Sequence, residues 1–159
     1  MSDSIAIDTN LWLYSYIEPT DEESEKLHGH AKKFLVPILK DPEITICLSS
    51  YQLGEILEVL RRMSTSQEIR DHLLQDFLSE GFFIKGLTVE NVTLSYKKSR
   101  ISNIHIYDYL VAIPLKGIIT KIYSADDHFQ HKDFQEIAEV INPISPWILR
   151  EGRRPERRD

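Results

Sequence analysis

Ser4-Ile5-Ala6-Ile7-Asp8-Thr9-Asn10, near the start of the chain, is a short apolar strand that runs into three polar residues. A strand that ends in this way places the Asp8 carboxylate at the edge of a sheet, where ligands bind in open α/β folds. Three further acids, Glu55, Asp108 and Asp126, have comparable settings, each just past a strand or on the inner face of an apolar helix. We therefore expect four acids that are distant in sequence to meet in one cleft.

The spacing of apolar residues predicts the remaining elements. Strands are expected at 4–7, 44–48, 82–84, 118–123 and near 140–141, and helices at 11–17, 22–39, 50–62, 66–80, 89–99 and about 103–116. Ser102 or Asn103 is expected to cap the last helix, and Pro114 to end it near Ile113. Strands separated by helical segments need crossover connections, so the sequence predicts an α/β fold with a mainly parallel, roughly five-stranded sheet covered by helices on both faces.

The length and composition fit one soluble globular domain. With 159 residues, of which 42% are hydrophobic, the chain can bury a sizeable core, and we assign this domain to residues 1–149. No run approaches the roughly 18 apolar residues of a membrane span. The acidic start, with Asp3 before a four-residue apolar run, lacks the features of a signal peptide. We expect a cytoplasmic protein without membrane association.

The charged residues are unevenly distributed. A net charge of −6 disfavours broad attraction to nucleic acid, but basic pairs occur at 32–33, 61–62 and 97–98. Residues 150–159 form a basic tail without apolar periodicity, which we expect to be disordered. The tail has two interpretations, a solubilising end or an RNA- or partner-binding arm. The single cysteine, Cys47, lies in an apolar run and is expected to fill the core, so thiol chemistry is not favoured.

Each acid also has a simpler structural interpretation. Asp8 can cap the helix that follows it, Glu55 can be a solvated acid paired with an arginine, and Asp126 can be a turn residue. Asp108 is harder to explain in this way, because its surroundings are apolar and a buried, unpaired carboxylate is costly. The four acids together therefore favour a functional site.

A cluster of four carboxylates predicts metal chemistry. Such groups repel one another unless they ionise unequally or bind cations, and oxygen ligands suit Mg²⁺ or Mn²⁺. Two such ions roughly 4 Å apart can activate a water molecule and stabilise the leaving oxygen of a phosphodiester, which is the chemistry of a hydrolytic nuclease. A zinc site with nitrogen ligands, drawn from His105 with Asp108 and His128 with Asp126, is the less favoured alternative.

Several tyrosines on predicted helices have aromatic rings that can stack on nucleobases. These residues are Tyr14, Tyr16, Tyr107 and Tyr109. On amphipathic helices, tyrosines more often belong to the core or to a dimer contact. We therefore favour packing roles for them.

Four segments carry a family resemblance. They are residues 7–10 (IDTN), 50–55 (SYQLGE), 103–112 (NIHIYDYLVA) and 123–129 (YSADDHF). In order and spacing they resemble the motifs of PIN-domain ribonucleases, and of VapC-type toxins in particular. The four motifs follow one another in this order on an alternating strand and helix plan. The resemblance covers about residues 5–144, which is almost the whole chain.

The resemblance implies a PIN-like three-layer sandwich and a set of site residues. The catalytic acids, which would also bind Mg²⁺ or Mn²⁺, would be Asp8, Glu55, Asp108 and Asp126. Thr9 and Asn10 would support the first acid, and Ser124 would correspond to the hydroxyl residue two positions before the last one. Asp127 directly follows Asp126, so the choice of the fourth ligand between these two stays open.

The resemblance also implies an activity and partners. It implies an endoribonuclease that hydrolyses RNA by metal-activated water without a covalent enzyme intermediate. A VapC-like toxin would form a homodimer through its helical hairpin, residues 50–80, and a small antitoxin would inhibit it by covering the cleft. The alternatives are a PIN-like RNA-processing nuclease without an antitoxin and a non-catalytic scaffold that binds RNA or protein. A metal-dependent phosphatase is less favoured, because Thr9 and Asn10 follow Asp8 where common phosphatases have Asp-x-Asp.

Overall fold

A five-stranded parallel sheet forms the centre of the protein. The computed structural model describes residues 3–148. The strands are β1 Asp3–Ile7, β2 Ile44–Ser49, β3 Phe82–Lys85, β4 Lys121–Tyr123 and β5 Glu139–Ile141. Their order across the sheet is β3-β2-β1-β4-β5, and all four neighbouring pairs are parallel. The predicted α/β class and strand number are confirmed, whereas the predicted tail at 150–159 lies outside the described residues.

Helices connect the strands on both faces of the sheet. The α-helices are α1 Thr9–Tyr16, α2 Glu22–Lys40, α3 Ser50–Arg62, α4 Gln67–Phe77, α5 Val89–Ser102, α6 Ile106–Ala112 and α7 Lys132–Gln135. Side chains of Asp21, Ser49 and Ser66 accept hydrogen bonds from backbone N–H groups and so cap α2, α3 and α4. Within residues 3–148, no helix is both long and apolar enough to cross a membrane.

The core is divided into two layers by the sheet. Side chains alternate between the two faces of a strand. In β1, Ile5 and Ile7 pack with residues of α1 to α4, whereas Ala6 packs with residues of α6 and α7 on the opposite face. The arrangement of helices, sheet and helices is the predicted three-layer sandwich.

The strand order places the polar residues after β1 and β4 beside each other. β1 connects onward to β2 on one side, while β4 lies on its other side, so the gap between β1 and β4 is a topological switch point. Ile7 and Tyr123, the last residues of these strands, are register partners. The Asp8 N–H continues the ladder by donating to the Tyr123 carbonyl oxygen at 2.8 Å. The side chains that follow both strands therefore lie at one edge of the sheet.

The region around α6 differs from the sequence-based prediction. Asn103 does not cap α6; it ends α5 in the left-handed conformation, with φ 61°, and α6 begins at Ile106. Asparagine suits helix N-caps and left-handed C-terminal positions alike, which is why local sequence favoured the wrong helix. Pro114 has the predicted effect: α6 ends at Ala112 and a 3-10 turn covers Ile113–Leu115. As a result, α6 presents only seven residues, and Asp108 lies in its first turn.

Candidate active site

Asp8 connects β1 to α1 and lies at the centre of a hydrogen-bond network. Its side chain is buried, with 1% of the residue exposed. One carboxylate oxygen, Oδ1, accepts the Thr9 N–H at 2.8 Å, and the other, Oδ2, accepts the Ser124 hydroxyl at 3.0 Å. The helix cap and the site residue are thus the same group, so the simpler interpretation of Asp8 does not compete with the functional one.

The loop after β4 brings Asp126 into the same network. The Asp126 N–H donates to the Ser124 Oγ at 3.0 Å, and the Asp126 Oδ1 accepts the His128 N–H at 2.9 Å. Ser124 therefore joins two acids, because it donates to Asp8 and accepts from Asp126. All three are buried. The predicted supporting position of Ser124 corresponds to this bridging contact.

Asp108 approaches the loop from α6. Its Oδ2 lies 2.7 Å from the His128 Nδ1, and both side chains are buried. The His128 Nδ1 also lies 3.9 Å from the Asp126 Oδ1. Ligand atoms of Asp108, Asp126 and His128 lie within 4.8 Å of one another, and we call these three residues the buried triad.

The buried triad fits a divalent cation. Its donor set is two carboxylates and one imidazole, and two carboxylates at this spacing repel each other when both are charged. A divalent cation would balance these charges, and the nitrogen donor extends the suitable metals from Mg²⁺ towards Mn²⁺ and later transition metals. His105 does not belong to the triad: it is exposed, and its ring centroid lies 6.0 Å from that of His128. A zinc site with two histidines therefore has weaker geometric support.

Glu55 lies on a separate branch of the site. It is half-buried on α3, and its Oε1 and Oε2 accept the Thr9 hydroxyl and the Tyr51 hydroxyl, each at 2.5 Å. Within residues 3–148, Glu55 and Asp8 fall outside the 4.8 Å triad. The structure thus brings Asp108 and Asp126 directly together, links Asp8 to Asp126 through Ser124, and links Glu55 to the end of β1 through Thr9.

Gln52 is a site residue that the sequence analysis did not identify. It is fully buried on α3, and its Nε2 donates to the Ile7 carbonyl oxygen at 2.6 Å and lies 3.5 Å from the Thr9 Oγ1. This contact fixes the start of α3 against the end of β1. The sequence did contain a signal for this role, because Gln52 occupies the buried stripe of α3 that continues with Ile56 and Leu60. A polar residue in an apolar stripe indicates a buried hydrogen bond.

The other supporting candidates lie at the edges of the network. Asn10 is half-buried in the first turn of α1. Asp127 is also half-buried and begins a 3-10 helix, Asp127–Gln130, with its N–H donated to the Ile148 carbonyl oxygen at 3.1 Å. Among the described residues, Asp127 falls outside the buried triad, whereas Asp126 is part of it.

Two tyrosines, on the helices that carry Glu55 and Asp108, contact each other. The rings of Tyr51 and Tyr107 are stacked, with centroids 5.6 Å apart and planes 8° from parallel. Burial, together with the neighbouring Glu55 carboxylate, raises the pKa of the Tyr51 hydroxyl, so it remains a protonated donor at neutral pH. Tyr107 is 54% exposed, whereas Tyr109 is fully buried in the core. The predicted packing role is confirmed for Tyr109, but Tyr107 projects towards solvent.

Two solved structures resemble this one. VapC20 from Mycobacterium tuberculosis, a sarcin-ricin loop cleaving toxin, has a TM-score of 0.64 and 21% sequence identity, over 84% of this chain and 98% of that chain. VapBC2 from Rickettsia felis, bound to a DNA fragment from its promoter, has a TM-score of 0.57 and 20% identity, over 87% of this chain and 98% of that chain. No protein-family model matches the sequence, and no curated protein matches it either.

These similarities concern the fold, since the identities are low. They confirm the prediction of a VapC-type PIN-domain fold, with the sheet and its covering helices in the expected arrangement. Because a fold does not determine a function, the function of the buried acids at the edge of the sheet follows from their own chemistry.

Proposed function

We propose that this protein, which has the VapC-type PIN-domain fold, is an Mg²⁺- or Mn²⁺-dependent endoribonuclease that hydrolyses RNA phosphodiester bonds. The observation that carries the proposal is the buried triad of Asp108, Asp126 and His128 at the carboxyl edge of the sheet, joined to Asp8 through Ser124. A closely spaced set of buried acids on this fold supports metal-assisted hydrolysis. The similar structure VapC20 is a sarcin-ricin loop cleaving toxin, and this similarity supports RNA as the substrate.

The acids have distinct roles in this proposal. Asp108 and Asp126 would hold a divalent metal, with Asp8 joined to Asp126 through Ser124 and Glu55 contributing from α3. When bound there, a divalent ion would supply an activated water molecule and stabilisation of the leaving oxygen. Asp126 is preferred to Asp127 as the fourth acid, because its carboxylate faces Asp108 within the buried triad.

The remaining polar residues keep the acids in position. Ser124 donates to Asp8, and Thr9 donates to Glu55, so each acid retains one defined orientation. Asn10, next to Thr9, supports the start of α1 in this scheme. Such outer contacts typically contribute 10- to 100-fold to metal affinity or activity.

The biological role that we propose is that of a toxin acting on RNA in the cytoplasm. VapBC2 is a similar structure solved in a complex bound to promoter DNA, and this supports a small antitoxin partner. We further propose a homodimer formed through the hairpin of α3 and α4. An RNA-processing nuclease without an antitoxin would have the same chemistry and differ only in its partner.

Cleavage assays with purified protein test the proposal. A panel of single-stranded and structured RNAs, including a sarcin-ricin loop RNA, is incubated with Mg²⁺, with Mn²⁺ and with chelator, beside Asp8→Asn prepared identically. Asparagine can still accept the Thr9 N–H and cap α1, so the variant should remain folded. We expect metal-dependent cleavage that falls about 100-fold or more in the variant.

Two other outcomes would contradict the proposal. Equal cleavage by both proteins would reveal a contaminating nuclease. Absence of cleavage together with absence of Mn²⁺ binding in calorimetry would favour a non-catalytic scaffold with the same fold.

A further inference from the structure

The stacked pair of Tyr51 and Tyr107 is carried by the same two helices as the candidate acids Glu55 and Asp108. Tyr51 belongs to the first turn of α3, one turn before Glu55, and Tyr107 directly precedes Asp108 in α6. The Tyr51 hydroxyl also contacts the Glu55 carboxylate directly. The pair therefore adjoins the acid site and is not a distant surface feature.

Tyr51 is held rigidly by its neighbours. Its hydroxyl donates to the Glu55 Oε2 at 2.5 Å, and the Ser49 side chain caps the helix on which it stands. Its ring supports Tyr107 in a nearly parallel stack, with an interplanar angle of 8°. Because Tyr107 is stacked on a ring that is already fixed, it loses little conformational entropy when it binds a further partner.

Tyr107 leaves much of its ring in contact with water. It is 54% exposed, although Asp108 and Tyr109, the residues that follow it, are buried. An aromatic ring of this exposure contributes little to the core, since most of its apolar surface stays hydrated. Its position beside an acid site points instead to a ligand with a flat face.

We propose that Tyr107, supported by Tyr51, is a stacking platform for a nucleobase of single-stranded RNA bound next to the acid site. This inference rests on the proposed function and adds a binding site for the substrate. Aromatic side chains bind the π-face of any base with little sequence preference. Bases within a duplex are already stacked, so the platform selects single strands, loops or ends.

The chain also offers a matched control. Tyr96 on α5 is 58% exposed, which is close to the exposure of Tyr107, and it has no aromatic ring contact among the residues that the structure describes. Replacement of Tyr96 by leucine therefore removes an exposed tyrosine without removing a stacked pair. Tyr107→Phe keeps the ring, and Tyr107→Leu removes it while leaving a side chain of similar length.

The experiment measures RNA binding apart from cleavage. The full chain with Asp8→Asn, whose cleavage should be about 100-fold slower or more, is titrated into a single-stranded RNA of about ten nucleotides that carries 2-aminopurine at successive positions. Stacking on tyrosine quenches this fluorescent base. We expect quenching at one position or two adjacent ones, and Tyr107→Leu should abolish it and weaken binding about tenfold or more. Tyr107→Phe and Tyr96→Leu should remain within about twofold of the parent.

The outcomes separate this inference from the proposed function. Tight binding that is unaffected by Tyr107→Leu would overturn the platform, and it would then favour a protein side chain as the partner of the ring. Equal losses in Tyr107→Phe and Tyr107→Leu would also overturn it, because they would assign the effect to the hydroxyl. Failure of the parent to bind RNA would contradict the platform directly. The nuclease is tested independently by cleavage with Asp8 intact, where Tyr107→Leu should raise KM more than it lowers kcat.

Discussion

The two sides of the candidate site differ in how far water reaches them. On one side, the buried triad and Asp8 are at most 5% exposed and are joined by a continuous set of hydrogen bonds. On the other side, which we call the tyrosine rim, Glu55 and Tyr51 are half-buried and Tyr107 is open to solvent. Buried carboxylates favour a counter-charge, whereas an exposed ring favours a flat apolar partner. The proposed cation therefore belongs to the buried side, and the proposed RNA base to the exposed side.

The largest effect should come from removing a charge in the buried triad. Asp126→Asn keeps the shape of the side chain but removes one of two facing carboxylates, so we expect Mn²⁺ affinity and cleavage to fall about 100-fold or more. Asp127→Asn is the matched control, because it makes the same change one residue later, outside the triad. It should change both quantities by less than about threefold. Calorimetry with Mn²⁺ and cleavage rates measure the two effects, and a larger loss in Asp127→Asn would reverse the assignment of the fourth acid.

His128 provides a somewhat smaller test of the same side. Its Nδ1 contacts Asp108 at 2.7 Å, and the amide of His128→Asn can reach a similar position, whereas His128→Leu removes the contact. If the imidazole mainly orients Asp108, Mn²⁺ affinity should fall 10- to 100-fold in the leucine variant and less than about fivefold in the asparagine variant. Equal losses in both would show instead that the other ring nitrogen binds the metal directly.

Substitution of Glu55 tests whether this residue acts with the buried acids or apart from them. It lies outside the triad but accepts two hydroxyl hydrogen bonds, from Thr9 and Tyr51. Glu55→Gln should therefore lower cleavage about tenfold or more, while Mn²⁺ affinity of the triad changes less than about threefold. Single-turnover cleavage and calorimetry on the same preparation give both values. A large loss of Mn²⁺ affinity would place Glu55 with the buried acids and remove the distinction between the sides.

Local sequence predicted the end of β1 well. An apolar run followed by Asp8, Thr9 and Asn10 marks the end of a strand within a few residues. The structure then shows that β4 lies beside β1. The convergence of Asp8 with Ser124 and Asp126 follows from this topology. The end of the strand depends on periodicity, which a single sequence expresses strongly, whereas the order of the strands was not predicted and comes from the structure.

The pairing of Asp108 with His128 depended on information that local sequence does not contain. The two residues are 20 positions apart, and their contact requires α6 to begin at Ile106 and the loop after β4 to turn into a 3-10 helix. Asn103 suits both a cap for α6 and a left-handed end for α5, so the helix boundary was decided by tertiary packing. Likewise, the amphipathic pattern favoured packing roles for the tyrosines, and only the fold shows that Tyr107 is exposed.

The smallest effect concerns Tyr51, which joins Glu55 to Tyr107 within the tyrosine rim. Burial and Glu55 raise the pKa of this tyrosine above its ordinary value of 10.0. In the unfolded chain it loses its proton near pH 10, whereas in the folded protein it does so only at higher pH. Its contribution to stability is therefore complete below pH 10 and is lost as the pH rises through the folded-state pKa.

Tyr51→Phe removes both this titration and the hydrogen bond to Glu55. At neutral pH the variant should be about 1 kcal/mol less stable than the parent, because the half-buried Glu55 loses one donor. Above pH 10 the difference should narrow, since only the parent has the Tyr51 ionisation that favours unfolding. Urea unfolding between about pH 7 and pH 11 measures this change, with Tyr96→Phe as the control for loss of an exposed hydroxyl. A constant difference across this range would mean that the Tyr51 hydroxyl is solvated. Tyr51 would then not link the ring of Tyr107 to the Glu55 carboxylate.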